Sequence, residues 1–503
     1  MDIDIYYEID SLIKYSIDKG LIKEMDTVYC RNKVLEILKL DDYKSVEIKE
    51  DFNRSLSDIL NSILDWTYER GLLKNNTPVY RDLLDTKIMD CFISKPSEII
   101  NEFYNKYEKA PEDATKYFYE LSRTSNYIRT NRIEKNIIWK TKAEYGDLDI
   151  TINLSKPEKD PKAIEEARNI KSSSYPKCPL CKENEGYSGR IDHPARQNHR
   201  IIPITLNNEK WFLQYSPYTY YNEHSIIFNN DHKPMKICKG TVDSLLEFVE
   251  KFPHYFIGSN ADLPIVGGSI LSHNHFQGGN YDFAMAKAPI EREITFNKYP
   301  NVKGGIVKWP MSVIRLTGKN RKDLSKLGEI ILNNWKNYND KNLDIISHTD
   351  DISHNTITPI VRKVEGNFQL DLVLRNNRTD EEYPMGIFHP HEDVHHIKKE
   401  NIGLIEVMGL AVLPPRLKDE LKEIAKYLLE DKVELTNEIN RHLDWVNKIK
   451  LKYKEINKDN IESILKKEIG ARFLTILKHA GVFKRDEKGK KGFDRFINSI
   501  IIK

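Results

Sequence analysis

The sequence predicts an α+β protein with a largely antiparallel sheet at its centre and helices at both ends. Three observations carry this expectation. Apolar residues recur at helical spacing over roughly the first 130 positions, as in Tyr7, Ile9, Leu12, Ile13 and again Val34, Leu35, Ile37, Leu38. Short β-branched and aromatic runs dominate the middle, and no glycine-rich dinucleotide fingerprint stands among them. From Pro414-Pro415 onward the pattern is helical again, with dense charge. Strands gathered in one region, with helices segregated from them, read as α+β rather than alternating α/β. The expected organisation is a helical N-terminal region over 1–130, an α+β core over 131–413 and a helical C-terminal region over 414–503.

The elements follow in order. Pro96-Ser97-Glu98 and Pro111-Glu112-Asp113 are helix starts, with Pro in the first turn and acids near the positive end of the helix dipole. Nothing in this region looks catalytic, and a packing role is its expected one. Strand-like runs begin with Asn136-Ile137-Ile138-Trp139 and Leu148-Asp149-Ile150-Thr151-Ile152, followed by a polar stretch from Lys156 to Lys162. Beyond Cys181 come Arg200 to Ile204, Trp211 to Tyr215 and His224 to Phe228. Helical windows cover about 240–252 and 320–338, and a further strand run covers 367–375. No internal repeat and no low-complexity linker is visible in the sequence.

Composition narrows the function. The 503 residues carry 78 Lys+Arg against 76 Asp+Glu, a formal +2, which does not suit a protein that wraps a nucleic acid. Apolar runs such as Ile226-Ile227-Phe228 are far too short to span a bilayer, so no membrane partner is expected. The acidic start Met1-Asp2-Ile3-Asp4-Ile5 lacks the pattern of a secretory signal. Five cysteines in so long a chain argue against a disulfide framework and for a reducing, cytoplasmic location.

The chemistry concentrates in Ser272-His273-Asn274-His275-Phe276-Gln277, with Gly267-Gly268 before it and Gly278-Gly279 after it. In an extended segment alternate side chains share a face, so His273, His275 and Gln277 are expected to project together. A neutral imidazole can attack phosphorus and leave again, and a neighbouring carboxamide can donate N–H to the charged oxygens. The glycines are read as clearing side chains from a phosphorylated ligand. A solvated strand face is the plainer reading, and four glycines weigh against it.

Cys178-Pro179-Leu180-Cys181 is half of a zinc site, a redox pair or two structural cysteines. A closed metal site needs partners from His193, His199, His224, His232 or His273. His389-Pro390-His391 with His395-His396 is a second metal candidate or a polar loop. Basic groups that suit phosphate include Lys303, Lys308, Arg315, Arg362, Lys363, Arg375 and Arg378, with Arg196, Asn198 and Arg200 ranked first for their place after the cysteine pair. Asn260, Gly268 and Ser269 complete the substrate-binding candidates.

At these residues the chain resembles the hexose-1-phosphate uridylyltransferases of the histidine-triad superfamily, and more closely the bacterial type 2 galactose-1-phosphate uridylyltransferases. The resemblance rests on Gly267 to Gly279, Cys178 to Cys181, Thr151 to Pro157, His354-Asn355-Thr356-Ile357-Thr358-Pro359 and Asp371 to Asn377. It runs over nearly the whole length and implies a histidine-triad-like sheet core. It also implies exchange of a uridylyl group between UDP-glucose and a hexose 1-phosphate, galactose 1-phosphate, through a uridylyl-histidine. By motif His275 is then the catalytic nucleophile and Gln277 the transition-state donor. Type 1 relatives have His-Pro-His at this place, and here the middle residue is Asn274. An amide at the third position cannot act as general acid or base, which favours transfer over hydrolysis.

The resemblance further implies a structural zinc on Cys178, Cys181, His232 and His273. A second, iron-type site falls on Glu291, His354, His389 and His391 when type 1 relatives are followed. Relatives are often homodimers. A dinucleoside-polyphosphate phosphorylase on the same scaffold, or a zinc-stabilised binding module without catalysis, are the competing readings.

Overall fold

The computed structural model describes residues 3–48, 53–155, 173–430 and 436–501. The polar stretch from Lys156 to Lys162 and the Lys156-Pro157 end of one family motif lie outside the described residues.

The centre of the molecule is a ten-stranded sheet. Its strands are β3 (Ile202–Leu206), β4 (Glu209–Tyr215), β5 (Ser225–Asn229), β6 (Phe256–Gly258), β7 (His275–Gly279), β8 (Ile290–Ile294), β9 (Lys303–Val307), β10 (Val313–Gly318), β13 (Asn355–Val364) and β14 (Asn367–Asn376). The order across the sheet is β3-β4-β5-β7-β6-β13-β14-β10-β9-β8, and every neighbouring pair is antiparallel. A smaller sheet pairs β1 (Ile137–Ala143) with β2 (Gly146–Ile152), and β15 (Leu410–Leu413) adds to β2 in parallel. A separate hairpin joins β11 (His348–Thr349) to β12 (Ile352–Ser353).

The large sheet repeats one connectivity. β3, β4 and β5 follow in order, the helix Lys239–Lys251 intervenes, and β7 returns beside β5 with β6 next to it. β8, β9 and β10 follow in order, the helix Arg321–Lys336 intervenes, and β14 returns beside β10 with β13 next to it. The halves meet where Gly258 and Ile257 of β6 pair with Ile360 and Val361 of β13. The sequence shows no repeat because a shared topology needs only the same alternation of faces, which many residue sets satisfy.

The alternation is clear in β14. Phe368, Leu370, Leu372 and Leu374 enter the core formed with the helices Lys239–Lys251, Arg321–Lys336 and Glu487–Ile501, while Val373 faces the core on the opposite side. That opposite side packs against β2, β15 and the helices Leu417–Leu429, Asn437–Lys452 and Ile461–Ala480. The helices Ile5–Asp18, Thr27–Leu38, Leu56–Glu69 and Pro78–Asp90 form a further apolar cluster. Helices begin at Pro96 and Pro111 as the sequence predicts. The strands between 290 and 318 escape the sequence reading: β8 carries charges along the sheet edge, and β9 opens with Lys303-Gly304-Gly305, a poor strand signal.

One polar group sits inside this packing. Asp371 on β14 is fully buried, and its carboxylate accepts from Arg315 Nε at 2.6 Å, Arg315 Nη2 at 2.9 Å and Arg362 Nη2 at 2.6 Å. Arg315 also donates to the carbonyls of Met285 and Ala288. Burial pushes the Asp371 carboxyl up, but Arg362 and Arg315 outweigh it and hold the group below its ordinary value. Its stabilisation is therefore full above the unfolded carboxyl pKa and is lost as pH falls through the lower folded one. Asp371→Ala strands two buried guanidiniums and is expected to cost roughly 3–5 kcal/mol, read as a lower urea midpoint at neutral pH. This network also removes Arg315 and Arg362 from the phosphate-binding candidates.

Candidate active site

β7 lies between β5 and β6 near the middle of one half-sheet. Phe276 points into the helix-covered core and stacks on Trp211, with ring centroids 4.6 Å apart. His275 and Gln277 alternate to the other face and line a cavity of about 670 Å³. Tyr127, Arg196, Gln214, His224, Asn260 and the segments 267–270 and 399–406 share its walls.

The tautomer of His275 follows from its surroundings. Its Nδ1 lies 2.8 Å from the His273 carbonyl, which can only accept, so Nδ1 carries the proton. Nε2 is left with a free lone pair. Burial pushes the imidazole down to about 4, so it is neutral across the physiological range. The arrangement is a fixed, unprotonated imidazole nitrogen on a central strand, chemically able to attack an electrophile.

His273 stands just before the strand and turns elsewhere. Its Nε2 donates to the Asn229 carbonyl at 2.8 Å, which leaves Nδ1 unprotonated, 3.3 Å from Cys178 Sγ and 3.7 Å from Cys181 Sγ. His232 brings Nδ1 to 3.1 Å from Cys181 Sγ, and the two sulfurs are 3.6 Å apart. The four ligand atoms all lie within 4.8 Å of one another, a set that fits a metal ion. Burial, and then the neighbouring Cys181 sulfur, push the Cys178 thiol up to about 12, while the backbone N–H groups of Leu180 and Cys181 act the other way. Two sulfurs this close favour thiolates only when a cation joins them. Asn184 braces the knuckle by donating to the carbonyls of Cys178 and Cys181, both at 2.8 Å, and His193 Nε2 holds Asn184 Oδ1 at 2.7 Å. His193 therefore supports the cluster without joining it.

Sequence comparison meets this geometry directly. The description "Galactose-1-phosphate uridyl transferase, N-terminal domain" matches residues 20–234, and its C-terminal counterpart matches 247–447. A galactose-1-phosphate uridylyltransferase of Clostridium acetobutylicum is 58% identical over 496 residues, covering 98% of this chain and 99% of the relative. Those of Halalkalibacterium halodurans and Bacillus subtilis are 55% and 50% identical, each over 98% of this chain and over 98% and 97% of the relative. The chain belongs to the galactose-1-phosphate uridylyltransferase family.

Within that family frame, the expected site residues divide. Arg196 lines the cavity, with its guanidinium 5.5 Å from the Tyr127 ring centre. Tyr127 itself comes from the N-terminal helical region, which the sequence reads as free of site residues. Asn260, Gly268 and Ser269 also line the cavity, and Asn260 Oδ1 accepts from the Leu404 N–H at 2.8 Å.

Asn198 and Arg200 do not reach it. Asn198 Nδ2 donates to the Ser125 carbonyl, and Arg200 spends its guanidinium on the carbonyls of Ser94, Gln197 and His199 and on Asp90. Both tie the core to the N-terminal helices, because closeness to the cysteine pair in sequence does not carry over to space. Arg375 is likewise buried and donates to the Ile402 carbonyl.

The second metal set is not assembled. The Glu291 carboxylate is paired with Arg485. His354 has Nδ1 2.9 Å from Asn377 Oδ1 and Nε2 2.9 Å from Thr349 Oγ1, and His391 Nε2 lies 2.9 Å from the Ile387 carbonyl. Among the described residues, the Cys178, Cys181, His232 and His273 group is the one set of three or more such ligands brought together.

The flanking glycines also permit close approach within the protein itself. A Cβ on Gly278 would come 2.8 Å from the Phe256 carbonyl on β6, and one on Gly268 would come 2.7 Å from Asn260 Nδ2. The sequence reading missed Gln214 and the 399–406 segment. Neither carries a local signal, since the sheet order and a distant loop bring them to β7.

Proposed function

We propose that the protein moves a uridylyl group from UDP-glucose to galactose 1-phosphate in two displacements at His275. The observation that carries this reading is the neutral imidazole of His275, its Nε2 lone pair free in a cavity large enough for a nucleotide sugar. In the first half-reaction Nε2 bonds to the α-phosphorus, the bond from that phosphorus to the bridging oxygen breaks, and glucose 1-phosphate leaves. In the second, a phosphate oxygen of galactose 1-phosphate attacks the same phosphorus, the P–N bond breaks and UDP-galactose departs. Gln277 donates N–H to the non-bridging oxygens as their charge rises. Arg196 adds positive charge at the wall.

The residues that would hold a zinc ion are Cys178, Cys181, His232 and His273. With four protein ligands the ion supplies structural order rather than an open coordination position. Its place is apt, because the His273 carbonyl that fixes the nucleophile belongs to a ligand residue. No helix among the described residues is long and apolar enough to cross a membrane.

The test is isotope exchange. With no galactose 1-phosphate present, labelled glucose 1-phosphate is expected to enter UDP-glucose, and initial rates with both substrates are expected to give parallel double-reciprocal lines. Absence of exchange, or turnover of adenine dinucleotides in preference to UDP-glucose, would overturn the reading.

A further inference from the structure

We propose that His224 is a positioning residue, an imidazole that fixes the carboxamide of Gln277 with its N–H groups toward the reacting phosphate. The inference rests on the function proposed above and deepens it.

His224 Nε2 lies 3.1 Å from Gln277 Oε1. The ring is buried, packed 4.4 Å from Tyr221 and 5.6 Å from Tyr220 by ring centres. Its Nδ1 is buried without a hydrogen-bond partner. A proton placed there would be an orphaned donor, whereas a proton on Nε2 meets an acceptor. The neutral ring therefore carries its proton on Nε2, and burial, which pushes its pKa down to about 4, keeps it neutral. The amide of Gln277 is then not free to flip. Its oxygen is held by the imidazole, and its nitrogen, with two N–H groups, is the end turned to the cavity. An amide rotated by a half-turn would face the phosphate with an acceptor and repel it.

The same device occurs a second time beside it. Gln214 on β4 pairs across the sheet with Ile226, and Ile226 pairs with Gln277, so both glutamines rise from one face. Gln214 lines the cavity too, and its Oε1 lies 2.9 Å from His199 Nε2. His199 is buried, stacked 4.3 Å from Tyr127, with Nδ1 unpartnered, and burial pushes it down to about 3. Two amides on one floor, each backed by a buried neutral imidazole, make an ordered set of N–H donors around His275. Such preorganised donors act in the transition state because they need not reorient.

The experiment compares His224→Gln with His224→Met, two side chains of similar length and volume that differ in having an N–H to give. His224→Gln is expected to stay within several-fold of the wild-type kcat. His224→Met is expected to lose about 10- to 100-fold in kcat with KM changed less than about threefold, the signature of a donor felt only in the transition state. His224→Phe takes the place of the Met variant if that one does not fold, and thermal melts of each variant report folding. The deciding measurement adds Gln277→Ala: in that background the His224→Met change is expected to cost less than about threefold, since the group it positions is gone. Equal activity of the Gln and Met variants, or an undiminished loss in the Gln277→Ala background, overturns the positioning role. Failure of the wild type to exchange label would instead overturn the uridylyl-transfer reading, so the two failures are distinguishable.

Discussion

A His275→Ala enzyme incubated with UDP-glucose labelled in its uridylyl group is expected to bind no acid-labile label and to lose kcat by a factor on the order of 10⁴ to 10⁶. The size follows from what is removed. Among the described residues that line the cavity, no other has an unprotonated nitrogen set by a backbone carbonyl on a central strand, and Gln277 cannot form a stable bond to phosphorus. The fold should survive. β7 is held by backbone pairing to β5 and β6, and its apolar anchor is Phe276, whose ring stays packed on Trp211. His275 contributes one local side-chain bond, to its own neighbour's carbonyl. An unchanged melting temperature beside lost labelling is therefore the expected pair of results. Labelling that persists in the alanine variant would refute the assignment of the nucleophile.

The placing of His275 and Gln277 on one face was legible in the sequence because its signal is local. A period-two His and Gln pattern needs only an extended backbone to place two side chains on one face, and β7 supplies that. The cysteine pair is local in the same way. Its histidine partners are not: spacing leaves five histidines eligible, and the family resemblance is what selects His232 and His273. The three others had roles that a list of ligand types cannot express. His193 braces Asn184, and His199 and His224 each face a glutamine across the sheet. The His224 contact depends on β5 and β7 being neighbours, which is decided by the packing of the whole sheet, whereas the His199 contact follows the β3–β4 hairpin. Arg200 shows the opposite error. Its place after the cysteine pair suggested phosphate, yet its guanidinium makes four hydrogen bonds, to Asp90 and to three carbonyls, before any ligand arrives. A guanidinium so fully engaged holds helices to the core. The fold class was legible from the segregation of helical and strand patterns, whereas the edge strand β8 and the glycine-rich β9 hid because edge strands tolerate charge and close packing tolerates glycine.

Chelation of a metal held by the Cys178, Cys181, His232 and His273 cluster is the second large effect expected. The purified chain is expected to hold one zinc, and a strong chelator is expected to lower both the melting temperature and kcat, the latter by about 10- to 100-fold, the usual scale for loss of support around a site. The reason is connectivity. His273 gives Nδ1 to the cluster, Nε2 to the Asn229 carbonyl and its own carbonyl to His275 Nδ1, so one residue would join a cation on the cluster to the tautomer of His275. Without a cation, two neighbouring sulfurs must take up protons, and the buried Cys178 thiol, pushed up to about 12, does so readily. The sign of the pH dependence follows: metal binding expels protons, so acidification competes with it and metal is lost as pH falls. Cys181→Ser is expected to mimic chelation, with elemental analysis showing less zinc per chain and exchange slowed to the same degree. A metal-free wild-type enzyme of full activity would sink this account, because the backbone at His273 would then be shown to hold His275 without help from the four ligands.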